Sequence, residues 1–291
     1  MLSSLHIKIL NFLHFINTDN RTIAFLRELF AFGYKEALSC IFPVIIFGSL
    51  AITKFVTVPY IPRYDLLLLI FLIVQYLMFK FKLEDANEVR MICVFHLLGV
   101  MMEIFKVNHN AWAYPDQGYT KLLGVPLYSG FMYASIASYV CQAWRNLDLK
   151  FVLWPPMTQC FSMAFLIYGN FYSNVYTHDI RVFLIPTLFY VFMNSKVHFN
   201  TNGQVRKMPM TLGFFLIGFF VWLAENIATF LGAWKYPNQK DGWSMVSLNI
   251  MSSWFLLVVV TVVLVALIKR MEGDQSIELQ SEPSNDVLDI A

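Results

Sequence analysis

The sequence predicts an all-α, polytopic membrane protein: a bundle of about eight transmembrane helices, arranged as two parallel four-helix repeats. Three observations predict it. Apolar residues make up 58% of the 291-residue chain and charged residues only 14%, whereas a soluble domain carries roughly a quarter charged residues. Apolar runs of bilayer length recur from end to end. One motif of an acid and aromatics is written twice at a single spacing.

A crossing needs roughly 20 mostly apolar residues. Eight segments qualify, at about 36–55, 64–81, 88–107, 126–145, 151–172, 178–196, 209–231 and 246–268. The sixth is the weakest, with Asp179 and Arg181 at its start and Asn194 near its end. Ahead of them, residues 1–35 hold no long uncharged core and no small-residue cleavage site, so no secretory signal is expected. Within them, TIAFLRELFAFGYK reads as an amphipathic helix, either on the membrane surface or packed on the bundle end. The domain plan is a cytoplasmic or interfacial segment 1–35, a bundle 36–270 with halves 36–145 and 151–268, and a tail 271–291. The tail has six acids and no Lys or Arg, so it is expected to be disordered.

Eight crossings put both termini on one side. The loops on that side carry 14 of the 21 Lys and Arg, which places the termini in the cytoplasm of a cell whose inner membrane holds the protein. A net charge of +2 with no basic patch excludes nucleic acid as a partner and leaves membrane lipid. The four cysteines sit in apolar runs without metal-type spacing and read as packing residues.

The repeated motif is ENIATFLGAWKYPNQ at 225–239 and EIFKVNHNAWAYPDQ at 103–117. Glu103, Ala111, Trp112, Tyr114, Pro115 and Gln117 recur as Glu225, Ala233, Trp234, Tyr236, Pro237 and Gln239, each 122 residues on. The third and seventh crossings run the same way, so the offset suggests halves related by an axis along the membrane normal. Trp and Tyr collect at membrane interfaces and Pro follows helix ends, which accounts for the aromatics alone. It does not account for the acids. A carboxylate in a crossing costs roughly 2.5–3.5 kcal/mol at the bilayer centre, and somewhat less near its edge. Glu103 and Glu225 at equal depth therefore predict either one site shared by the halves or a polar clamp between helices. Lys106 and Asn226 are the nearest candidate partners. His96 lies two turns before Glu103 on the same face, but its counterpart is Gly218, and no His-x3-His or Glu-x2-His pair supports a metal. Gln75, Gln159, Asn170, Asn249, Ser252 and Ser253 read as helix–helix hydrogen-bonding residues, and Gly130, Ala134 and Ser138 as a small-residue packing face. No phosphate loop, nucleophile elbow or dinucleotide fingerprint occurs.

KEALSCIFPV, FHLLGVMMEIFKV, GVPLYSGFMYASIASYVCQAWR, IGFFVWLAENIATFLGAWKYPNQ and SSWFLLVVV together resemble a bacterial family of integral membrane proteins known only as domain of unknown function 817. The resemblance runs from about Glu36 to Lys269 and implies membrane location without an activity. The layout of residues 103–127 is also similar to membrane carotenoid hydratases and lycopene cyclases, which place an acid, an aromatic-x-Tyr step and a Pro-Leu in this order. Here Pro126-Leu127 leads into Tyr128-Ser129-Gly130 where the cyclases have paired acids, so that acid pair is missing.

Three readings remain open, in this order. The first is an intramembrane enzyme acting on an isoprenoid or other long-chain lipid, with Glu103 and Glu225 as catalytic acid/base groups. Trp112, Tyr114, Trp234, Tyr236, His96 and Asn226 then line a lipophilic substrate, and no cofactor is needed. The second is a proton-coupled transporter or carrier of a small molecule. The third is a structural protein in which the repeat is a clamp.

Overall fold

The computed structural model describes residues 20–271 apart from 202, together with 273, 276 and 277. The expectations for 1–19 and for most of the acidic tail lie outside the described residues. The chain is mostly helical. The helices are α1 (Arg21–Ser39), α2 (Ile41–Phe55), α3 (Arg63–Lys80), α4 (Ala86–Asn108), α5 (Gly130–Asn146), α6 (Met157–Ser173), α7 (Arg181–Val191), α8 (Met210–Phe230) and α9 (Leu248–Met271). Among the described residues five short strands accompany them: β1 (Lys121–Leu122), β2 (Val125–Pro126), β3 (Lys150–Val152), β4 (Lys196–Thr201) and β5 (Gln204–Pro209).

Each of the eight expected crossings contains a helix, but full crossings are fewer by length and composition. α4, α8 and α9 are long and apolar enough to span a bilayer, and α1 with α2, bent by 65° at their junction, would make a fourth. α3 carries Arg63, Asp65 and Lys80 within 18 residues. α5 and α6 are 17 residues each. α7 has only 11 residues, with Pro186 inside it, which corrects the expected sixth crossing. Polar residues at its start and extended chain from Lys196 leave too little apolar length.

The strands correct the all-helical reading. β4 and β5 form a hairpin closing on Thr201 opposite Gln204, with Gly203 at φ +86°, and β3 adds to its other edge. An Asn-Gly step between alternating residues is a strong hairpin signal, and here it lies in what reads as an inter-helix loop. The described part of the tail is not free: Phe151 N–H donates to Ser276 O at 2.7 Å, and Ile277 bridges Phe151. This sheet marks one end of the bundle, the strand end. The loops after α4 and α8 mark the other, the loop end.

α5 is central, packed on α1, α2, α4 and α9, while α9 packs on α5, α6 and α8. The small-residue face predicted on α5 is buried, with Ala134 and Ser138 at 0% exposure. It lets α4 approach closely: a Cβ on Gly130 would lie 2.6 Å from the His96 carbonyl. α8 and α9 meet in the same manner, where a Cβ on Gly218 would lie 2.8 Å from Phe255 backbone. A polar layer holds the strand end. Gln75 and Ser138 donate to Glu84, Arg145 pairs with Glu88 at 3.1 Å, and Asp85 and Glu88 form a capping box on α4.

Because the obstacle at Gly218 is backbone, Gly218→Ala has to push α8 off α9. The expected loss is about 1–3 kcal/mol, to be read from thermal unfolding in detergent micelles, with Gly213→Ala, which has no neighbour within 4 Å, as the control.

Candidate functional site

The site begins with two identical helix ends. α4 ends with Asn110 at φ +57°, and α8 with Gly232 at φ +78°. In both, the next N–H reaches back five residues, Ala111 to Lys106 O and Ala233 to Ala228 O, each at 3.0 Å. This is the Schellman cap, which requires a left-handed residue where Gly or Asn is favoured. Cations finish the second end: Lys54 Nζ donates to Phe230 O at 2.8 Å, and Arg63 to Leu231 O and Gly232 O at 2.9 and 3.1 Å.

The caps turn both chains across the loop end, where they meet. Ala113 and Lys235 form an antiparallel bridge, with each N–H donating to the other's carbonyl at 2.9 Å. These two residues are themselves 122 apart. The rings beside them cross-pair in the same way: Trp112 on Tyr236 at 5.9 Å between centroids, and Tyr114 on Trp234 at 6.5 Å. Asp65 fixes the longer first loop, accepting from Tyr119 N and Thr120 N at 2.8 Å each.

Beneath this roof lie the acids, each 5% exposed. Glu103 accepts from Trp112 Nε1 at 2.6 Å, Tyr114 Oη at 2.8 Å and Tyr133 Oη at 2.7 Å. Glu225 accepts from Tyr236 Oη and Trp254 Nε1. Each acid thus ties the returning loop to the following helix, and Tyr133 and Trp254 pack together at 5.8 Å. Among the described residues neither acid has a salt-bridge partner. Buried polar oxygens need hydrogen-bond donors, and both acids have them.

Both acids line one cavity of about 870 Å³. Its walls are apolar, from Met132 and Ile136 of α5, Phe214 and Ile217 of α8, and Leu257 of α9. It runs from Lys106, Asn174 and Arg181 at the loop end to Phe151 and Phe199 at the strand end. Glu36 of α1, accepting from Tyr139 Oη at 2.9 Å, is a third acid on its wall. Cavities that enclose drug-sized ligands measure roughly 300–1,000 Å³ and carry few polar groups.

The predicted residues divide. Glu103, Glu225, Trp112, Tyr114, Trp234 and Tyr236 all line the cavity. His96 and Asn226 do not. The His96 ring lies against Phe131 at 4.5 Å, under the α5 approach at Gly130. Asn226 follows Glu225 and points elsewhere: its Nδ2 donates to Trp222 O and its Oδ1 accepts from Val246 N, holding the segment before α9. Lys106 also differs from expectation, donating to Asn174 Oδ1 at 2.8 Å and not to Glu103. Tyr133, Trp254 and Glu36 were not anticipated. Tyr133 and Trp254 are 121 apart, one residue out of the 122 register, so the repeat did not reveal them. Near the cavity's loop end, burial pushes the Asp179 carboxyl up, but hydrogen bonds from Asn170 and Arg181 outweigh it and hold the group below its ordinary value.

A mostly helical bundle with three or four helices apolar and long enough to cross a membrane, around an apolar cavity lined by two buried glutamates, is a fold of membrane-protein type. The chain belongs to the family described as protein of unknown function DUF817, whose model matches residues 28–262. The uncharacterized protein YoaT of Bacillus subtilis (strain 168) is 47% identical over 259 residues, covering 89% of this chain and 98% of that protein. Among solved structures, the mycobacterial Insig homolog MvINS from Mycobacterium vanbaalenii is similar at a TM-score of 0.47 and 12% identity, covering 64% of this chain and 97% of that one. A cross-linked trimer of MvINS gives 0.45 at the same identity, covering 64% and 95%. The likeness of layout to carotenoid proteins rests on the sequence alone.

Directly opposed residues in an antiparallel hydrogen-bonded pair have Cα atoms about 5.5 Å apart, within disulfide reach. Ala113→Cys with Lys235→Cys is therefore expected to cross-link under mild oxidation. After protease cleavage between the two loops, the fragments should stay joined on a non-reducing gel and separate on reduction.

Proposed function

We propose that the protein is an intramembrane enzyme acting on an isoprenoid or other long-chain lipid by carboxylate acid–base chemistry. One observation carries this reading: two hydrogen-bonded glutamates, one from each copy of the motif, line a single apolar cavity of lipid-accepting size. An alkene in such a cavity reacts by taking a proton at one carbon. The π pair forms the new C–H bond and leaves a cation on the neighbouring carbon. The same carboxylate then removes a proton from the adjoining carbon, shifting the double bond, or takes one from a water molecule that has added there.

The two acids suit different parts of this sequence. Glu103 has three donors fixed on it, which hold its carboxyl group in one place under the roof and leave it little capacity toward the cavity. Glu225 has two, which leaves more acceptor capacity toward the cavity, and it is the group that exchanges the proton. The rings of Trp112, Tyr114, Trp234 and Tyr236 present π faces that attract a developing cation. His96 and Asn226 have no part in it.

The same reading includes two halves, 36–145 and 151–268, in an inner membrane with both termini cytoplasmic. Supporting the halves are the matched caps and the Ala113–Lys235 bridge, both at the 122-residue offset, and the reciprocal ring pairs on either side of that bridge. A second reading, a proton-coupled carrier, is favoured by a cavity reaching from the loop end to the strand end.

Gln fits both acid positions, since a tyrosine hydroxyl can turn from donor to acceptor, so Glu→Gln separates chemistry from folding. Lipid extracts are compared by mass spectrometry from cells lacking the gene, cells expressing the wild type and cells expressing Glu103→Gln or Glu225→Gln at matched levels. A species shifted by the mass of water, or changed in isomer, is expected with the wild type alone, and to fall by about 10²–10⁴-fold in Glu225→Gln. Identical lipids throughout, in a host that makes isoprenoids, would discard the enzyme. Proton-coupled flux in proteoliposomes would then support the carrier.

A further inference from the structure

Lys106 is 6% exposed and has no acid within ion-pair distance among the described residues. Its Nζ has a neutral acceptor, Asn174 Oδ1 at 2.8 Å, and the Phe171 ring at 4.5 Å. It lines the cavity, and a second cation, Arg181, lines it too. The nearby carboxylate, Asp179, is already engaged by Arg181 Nε at 2.6 Å and by Asn170 Nδ2 at 3.1 Å. Arg181 Nη1 donates to Asn249 O, Ser252 Oγ and Ser253 Oγ at 2.7, 2.9 and 2.7 Å, which fixes the guanidinium at the cavity's end. A buried ammonium is ordinarily paired with an anion. Here that place faces open space.

One side of the cavity is thinly walled. Val44 of α2 and Phe220 of α8 line it, yet are 62% and 63% exposed on the flank of the bundle. Gly33 and Gly213 line it as well, and a Cβ on either would meet nothing within 4 Å. The cavity wall therefore includes residues exposed on the outer surface of α2 and α8.

We propose that the cavity takes a long-chain lipid with an anionic head group, phosphate or carboxylate, which seats against Lys106 with Arg181 behind it while the chain fills the apolar walls. This rests on the lipid reading above and names its substrate class. The register supports it. Glu103 and Lys106 are three residues apart on one helical face, a rise of about 4.5 Å. With the head at Lys106, the acids stand level with the first few bonds of the chain, so the reacting carbons are those next to the head group.

The test measures binding to the purified full chain in detergent. The probes are a radiolabelled prenyl monophosphate, a long-chain fatty acid and the uncharged prenol of the same chain. The wild type is expected to bind a charged probe roughly 10- to 100-fold tighter than the prenol, as one charged hydrogen-bonded contact allows. Preference between phosphate and carboxylate identifies the head. Lys106→Gln should lose that preference and keep the prenol affinity, and Lys106→Arg should retain it. Equal wild-type affinity for charged and uncharged probes overturns the proposal, even if Lys106→Gln fails to fold. So does an undiminished preference in a folded Lys106→Gln. Glu225→Gln should bind the charged lipid like the wild type. A wild type that binds the charged lipid and leaves it chemically unchanged would sink the acid–base chemistry and leave the head-group site standing.

Discussion

Two carboxylates buried in an apolar bundle impose the constraint on which the loop end depends. Neither glutamate has a counter-ion among the described residues, so hydrogen bonds alone satisfy their oxygens. The donors are indole and phenol groups, which supply an N–H or O–H on a large apolar body. That choice lets one set of side chains satisfy the acids, fill the roof and line an apolar cavity. It also fixes the chain path. To bring Trp112 and Tyr114 back over Glu103, α4 must stop at Asn110 and reverse, and α8 must stop at Gly232 for Tyr236 to reach Glu225.

The clamp and the site are therefore the same atoms. A polar clamp between helices was one of the readings the sequence left open, and Glu103 does bind the loop to α5 through Tyr133. It does so while facing the cavity, so the clamp and the cavity wall share one carboxyl group. The polar layer at the strand end works differently. Glu88 there is paired with Arg145, and Glu84 is met by Gln75 and Ser138, away from the cavity wall. Position relative to open space, more than burial itself, separates the two sets of acids.

Composition made the membrane class legible, and the 122-residue offset made both acids and four of the roof aromatics legible. What escaped has physical causes. Adjacent helical residues point about 100° apart, so Asn226 beside Glu225 faces another neighbour. His96 shares Glu103's face but lies two turns away, where α5 covers it. Tyr133 and Trp254 reach the acids from a second helix, whose rotation is set by packing at Gly130 and Gly218. Helix length misled in the sixth segment, because apolar residues around Pro186 continue into a strand in place of a full crossing.

The Ala113–Lys235 bridge joins two equivalent positions by reciprocal hydrogen bonds. That is the geometry of an isologous contact, in which a surface recognises itself across a two-fold axis. Each copy of the motif thus presents the same backbone edge to the other, and the two hydrogen bonds close the seam between the loops. The His96/Gly218 and Asn110/Gly232 differences lie off that seam, while the Trp-x-Tyr-Pro step that forms it reads alike in both copies.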